Sequence, residues 1–215
     1  MATSVGSPPA RRTDVALRAC AFVCASFSLA ALLAHVFRLM PMAYCISLFG
    51  VPSVLLIFAM AGLARVIRAD GFLQCLAIGL VGGLAATVAY DGFRWCLTQS
   101  RLFNYDGFKA IYIFGSWITG KGTDTRDAAI AGWTYHYWNG VSFATMYSLI
   151  FVRPPWLYGV GYGVFMELCM LGLFPMFLQV TNRTDFIIIS LLGHVAYGVT
   201  LGVIAQRYGG EWRPA

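Results

Sequence analysis

Phe72 to Leu97 reads FLQCLAIGLVGGLAATVAYDGFRWCL, and its only charged residues, Asp91 and Arg94, stand near one end. An α-helix needs about 20 mostly apolar residues to cross the hydrocarbon core of a bilayer. This stretch has that length and carries no polar face to turn toward water. Gly79, Gly83, Thr87 and Asp91 recur at every fourth position, so they share one stripe of a helix. Small residues on such a stripe let a second helix approach closely. The segment therefore predicts a membrane-crossing helix that packs through its small face and carries one carboxyl group into the interior.

Working outward, the same pattern recurs at Val15 to Phe37, Ala43 to Ile67, Ala128 to Val152, Trp156 to Val180 and Phe186 to Gln206. The composition agrees: 59% of the residues are hydrophobic and 11% charged, against roughly 25% charged in an ordinary soluble domain. The reading is an all-α integral membrane protein, a single bundle of about six transmembrane helices over residues 15–208. Residues 1–14 and 209–215 read as short disordered tails. Arg11 and Arg12 stand ahead of the first span, which is expected to be a retained signal anchor. Arg18 and Arg94 lie near span ends, where a long side chain can reach the headgroups. Pro154, Pro155 and Trp156 form a tight turn that should leave the fourth and fifth spans adjacent and antiparallel. Pro175 should kink the fifth.

The distribution of Lys and Arg between connections favours both termini on the cytoplasmic side. Arg, Ala and Gly in abundance suggest a bacterial inner membrane, with the lipid bilayer as the first partner. The net charge of +6 is accounted for by the loops and gives no reason to expect nucleic acid. The six cysteines include no Cys-x-x-Cys pair and read as small buried hydrophobes.

One connection is long. Residues 98–127, between the third and fourth spans, contain GFKAIYIFGSWIT at Gly107 to Thr119, too short to cross and rich in aromatics. It predicts an interfacial helix or lid lying on the bundle, followed by a polar turn in which Thr125 or Asp127 caps the next helix.

Ionisable groups inside a bilayer require a partner or a function. Asp91, His136, Asn139, Glu167 and His194 stand on four spans. Counting about 1.5 Å per residue from the face that carries 98–127 puts them roughly 9, 12, 17, 20 and 13 Å deep, in one layer. Helical phase groups His136, Asn139, Gly140, Phe143 and Tyr147 on one face. Gly159, Gly163 and Glu167 share a second, and Ser190, His194, Tyr197, Gly198 and Leu201 a third. The expected function is a small membrane enzyme acting on a hydrophobic substrate such as a lipid, quinone or isoprenoid. Asp91, Glu167, His136 and His194 would act as acid and base, Asn139 would orient substrate, and Arg94, Tyr90, Tyr137, Tyr197 and Trp117 would contact it. His136, His194, Glu167 and Asp91 are also a ligand set for zinc or non-haem iron. Paired spacings such as His-x-x-x-His are missing, however. Haem held by His136 and His194 is a further reading without a supporting motif. A proton or small-solute pathway, in which oligomerisation would help to build a channel, suits the same residues. So does interhelical glue in an accessory subunit, with Asp91 paired to Arg94.

Overall fold

The computed structural model describes residues 8–173 and 183–209. It is 84% helical, and the described residues contain no strand. In chain order the helices are α1 (Pro8–Val36), α2 (Met42–Cys45), α3 (Val51–Val66), α4 (Asp70–Gln99), α5 (Lys109–Thr119), α6 (Arg126–Ile150), α7 (Leu157–Leu173) and α8 (Arg183–Tyr208). A π-turn, Ile46–Gly50, joins α2 to α3 into one rod. Its cause is local: Pro52 has no N–H to donate to the carbonyl of Leu48, so the backbone widens just before it.

Among the described residues four helices are long and apolar enough to cross a membrane: Thr13–Val36, Met42–Val66, Asp70–Gln99 and Thr184–Tyr208. α6 has the length, at 25 residues, but His136, Asn139 and several Tyr and Trp residues replace aliphatic ones along it. α7 is apolar and is described for 17 residues. Pro175 lies outside the described residues.

The first helix starts earlier than expected, at Pro8 rather than near Val15. Proline suits a first helical turn, alanine and arginine favour helix, and an ion pair of 2.7 Å joins Arg18 to Asp14 one turn before it. Arg18 is thus paired within its own helix.

α4 is the centre of the bundle, flanked by α6 on one side and α8 on the other. α8 also packs on α7, α6 takes both α5 and α1, and α3 lies mainly against α1. The rod Met42–Val66 is mostly outward-facing: only 17% of its most apolar window is buried. α7 does not lie along α6 as the tight turn suggested. It sets its glycine face on α8 instead, because Gly159 and Gly163 meet the backbone of Gly198 and His194 there. The link to α6 is a side chain, Tyr162, whose hydroxyl donates to the Phe143 carbonyl at 3.0 Å.

The small-residue stripes explain these contacts. A Cβ on Gly83 would stand 2.7 Å from Val141 Cα, and one on Gly79 would stand 2.6 Å from Thr145 Cα. α4 and α6 therefore meet backbone to backbone, closer than any larger residue would permit. The α5 helix docks on α6 in the same way, with Gly115 against Ala128 and Gly132 against Ile111. α5 ends where Gly120 takes the left-handed conformation, φ 69°, which costs glycine little. α6 begins at Thr125, whose hydroxyl accepts from the Ala128 N–H at 3.3 Å.

Four arginines, Arg38, Arg68, Arg101 and Arg153, also have positive φ. Each follows the end of a helix by two or three residues, where a cation meets the negative end of the helix dipole.

Substituting Gly83 by Leu should cost about 3 kcal/mol through overpacking at α4 and α6. Gly92→Leu, on the same helix with nothing within 4 Å of its Cβ position, should be neutral or stabilising by about 0.5 kcal/mol. Unfolding in mixed micelles would measure both, and equal costs would mean that the stripe does not set the helix spacing.

Candidate functional site

Each ionisable group on the inner face of α4, α6, α7 and α8 must find a partner on a neighbouring helix or remain a charge in an apolar medium. Asp91 and His136 find each other across the glycine-rich contact of α4 and α6: His136 Nε2 lies 2.9 and 3.1 Å from the two carboxylate oxygens. Glu167 and His194 do the same across α7 and α8, with His194 Nδ1 at 2.8 Å from Glu167 Oε2. Ser190, one turn before His194, donates its hydroxyl to that same oxygen at 2.7 Å. Glu167 is completely buried, and its second oxygen, Oε1, has no hydrogen-bond partner among the described residues.

For an imidazole in its neutral form, these contacts assign the nitrogen that carries the proton. His194 Nδ1 faces two acceptors, Glu167 Oε2 and the Ser190 carbonyl at 3.0 Å, so Nδ1 holds the hydrogen and Nε2 is left with its lone pair. His136 uses Nε2 toward Asp91, which leaves Nδ1 as the acceptor. A carboxylate that orients an imidazole in this way is the support a general base requires.

The two pairs meet at Tyr90. Its ring lies edge-on to His194, with centroids 4.8 Å apart, and 5.9 Å from His136. Beside them is a cavity with about 80 Å³ of room for the centres of water-sized molecules. Several waters or a small ligand group would fit. Tyr90, Arg94, His136, Asn139, His194 and Tyr197 line it, with Phe143, Met166, Met170, Phe186 and Ile189 as its apolar wall. The 98–127 segment closes one end with Tyr105, Gly107, Ile111 and Phe114. The Tyr105 hydroxyl, pushed up to about 12 by burial with Arg94 opposing, stays neutral at physiological pH.

Most of the residues expected from sequence gather here, and some do not. Asn139 lines the cavity with its Oδ1 unpartnered among the described residues. Tyr197 lines it too, its hydroxyl donating to the Gly140 carbonyl at 2.6 Å. Glu167 stands behind His194 and does not line the cavity. Tyr137 is turned away: one residue past His136 it is rotated by about 100°, and its ring packs on Trp133. Trp117 is also remote, a turn beyond Phe114, stacked on His35 at 4.3 Å. His35 is a turn clamp whose Nδ1 accepts from the Met42 N–H at 3.2 Å. Arg94 does not reach out to headgroups. It is buried, with the rings of Tyr90 and Phe108 at 4.6 and 4.9 Å.

The four residues read as a possible metal-ligand set are not gathered at one point. Among the described residues no three His, Cys, Asp or Glu side chains come together as a metal site. Asp91, His136, Glu167 and His194 divide into two pairs, because α6 and α7 face different neighbours. Sequence reading also passed over Ser190 as the donor to Glu167, although its place one turn before His194 was a usable signal. Met166, Met170, Ile111 and Phe114 carried no signal, since apolar residues in a membrane protein do not announce which of them line a cavity.

Residues 73–214 match the family of unknown function DUF6789, and the chain belongs to that family. The matched region starts within α4 and includes every residue of both pairs. No curated protein and no solved structure matches the chain.

Removing one partner of a buried pair strands the other. His194→Leu should therefore cost about 3 kcal/mol, whereas the double variant Glu167→Met with His194→Leu should recover most of that loss. A double-mutant cycle measured by unfolding in mixed micelles tests this. Additive costs would show that the two groups are not coupled.

Proposed function

We propose that this DUF6789 protein is a six-helix membrane enzyme that uses acid–base chemistry on a hydrophobic small molecule. In this reading α1, the Met42–Val66 rod, α4, α6, α7 and α8 cross a bacterial inner membrane with both termini in the cytoplasm. α5 lies over one end as a lid. The observation that carries the proposal is the pair of carboxylate-oriented imidazoles beside one lid-covered cavity within an otherwise apolar bundle. His194 is the base, through the Nε2 lone pair that Glu167 and Ser190 leave available. Once protonated at Nε2, His194 is also the acid that returns the proton; His136, held by Asp91, offers its Nδ1 as a second acceptor, and Asn139 presents its carbonyl to a donor on the substrate. The apolar wall selects a lipid-, quinone- or isoprenoid-like molecule, which would enter from the bilayer.

General acid–base groups contribute roughly 10² to 10⁴ in rate. Protein reconstituted in vesicles with extracted membrane lipids should convert at least one species, followed by mass spectrometry. His194→Ala and Glu167→Gln should slow that conversion by about 10² or more, while Asp14→Ala, far from the cavity, should not. Unchanged rates in both site variants would remove the acid–base reading. Elemental analysis and an absorption spectrum of the purified protein, beside the His136→Ala, His194→Ala double variant, test the zinc, iron and haem alternatives. Stoichiometric metal or a Soret band lost in the folded variant would replace metal-free chemistry.

A second reading, proton transfer across the bundle, is favoured by one contact: Tyr90 touches both imidazoles and offers a bridge between the pairs. It predicts acidification of vesicles loaded with a pH dye, reduced in His136→Ala.

A further inference from the structure

Among the described residues, Arg94 is the one Lys or Arg that lines the cavity. It is only 6% exposed, and its guanidinium, with five N–H donors, makes no hydrogen bond to any described residue. Its nearest anion is Asp91 Oδ1 at 3.7 Å, beyond hydrogen-bond length, and the Asp91 carboxylate is turned to His136 Nε2, at 2.9 and 3.1 Å from its two oxygens. Arg94 Cζ lies over the rings of Tyr90 and Phe108, 4.6 and 4.9 Å from their centroids. Such cation–π contacts supply no hydrogen-bond acceptor oxygen for the N–H groups. Gly107 borders the same place: a Cβ there would stand 3.4 Å from Arg94 Nε. A largely buried guanidinium fork with open donors is the partner of a planar or tetrahedral anion, which it binds in bidentate fashion.

The remainder of the cavity is unlike a site for a free ion. Ile111, Phe143, Met166, Met170, Phe186 and Ile189 make up its wall. We infer that the cavity takes an amphiphile whose anionic head, a carboxylate or phosphate, is bound by Arg94 and whose apolar part lies along that wall. The inference rests on the cavity being a substrate site and adds the substrate's chemical class. Arg94 then holds the head at the end closed by the 98–127 segment and so sets which atoms of the apolar part lie near His194.

Isothermal titration calorimetry on the full chain in neutral maltoside micelles, with empty micelles as the blank, provides the test. The probes are octyl phosphate, octanoate, octanol and inorganic phosphate. Octyl phosphate or octanoate is expected to bind at least tenfold tighter than octanol, and Arg94→Gln should remove that preference while octanol binding persists. Arg94→Lys keeps the charge without the fork, and its preference should fall at least threefold, which covers the case in which Arg94→Gln does not fold. Equal affinity for the octyl acids and octanol, or a preference that survives in Arg94→Gln, overturns the inference. Inorganic phosphate binding as tightly as octyl phosphate overturns the amphiphile and leaves a free-anion site. Binding with the predicted preference but no turnover of any lipid would sink the enzyme reading alone. Absence of binding by every octyl probe would remove the cavity as a substrate site together with this inference.

Discussion

A carboxylate with no exposed surface cannot remain in an apolar helix bundle unless other groups replace the water it has lost. Glu167 is that carboxylate, and the arrangement around it follows from the need to satisfy it. Ser190 donates its hydroxyl to Oε2 and His194 Nδ1 lies 2.8 Å from the same oxygen, and both stand on α8, one turn apart. α7 and α8 must therefore be in register at that level. Their glycine faces make this achievable, because Gly163 lies against the His194 backbone itself. Asp91 repeats the solution across α4 and α6, where His136 is the partner and Gly83 meets Val141. In both places the close approach of two backbones and the pairing of two ionisable groups are one device: without the first, side chains as short as Asp and His would not meet.

Placing α4 at the centre has a further effect. Its Tyr90 ring faces inward beside both imidazoles, and Arg94 follows one turn later under Phe108. A cation near a span end would ordinarily reach for water or headgroups. Here the segment between α4 and α6 folds back over it, because Gly115 and Gly132 let α5 lie directly on α6. The result is a cavity that combines imidazoles, a guanidinium and an apolar wall, drawn from α4, α5, α6, α7 and α8. That combination suits chemistry on a molecule that is mostly apolar and carries one polar group.

Much of this was legible in the sequence. Spans can be read because the bilayer sets a length and tolerates no unpaired backbone, and the observed helices begin and end within a few residues of the hydropathy limits, apart from the early start of α1 and the end of the fifth expected span, which lies outside the described residues. The layer of Asp91, His136, Asn139, Glu167 and His194 was visible because helix rise converts residue number into depth. Thr125 as a cap and the short amphipathic helix at 109–119 were equally readable, since caps and phases are properties of neighbouring residues.

Pairing was not. Depth says that four ionisable groups share a layer, but it does not say which of six possible pairs forms; that depends on which helices are neighbours, and helix order around a bundle is a long-range property. The tight turn at Pro154 and Pro155 suggested that α7 would lie along α6, yet the glycine faces of α7 and α8 found each other. The expected metal tetrad consequently separated into two carboxylate–imidazole pairs, and Trp117 and Tyr137, chosen for their chemistry, point away from the cavity. The sequence by itself determined the helices and the faces that carry the polar residues, because those follow from one helix at a time. Only the tertiary structure decided the pairs, the cavity and the unfilled donors of Arg94, because each depends on the distance between side chains far apart in the chain.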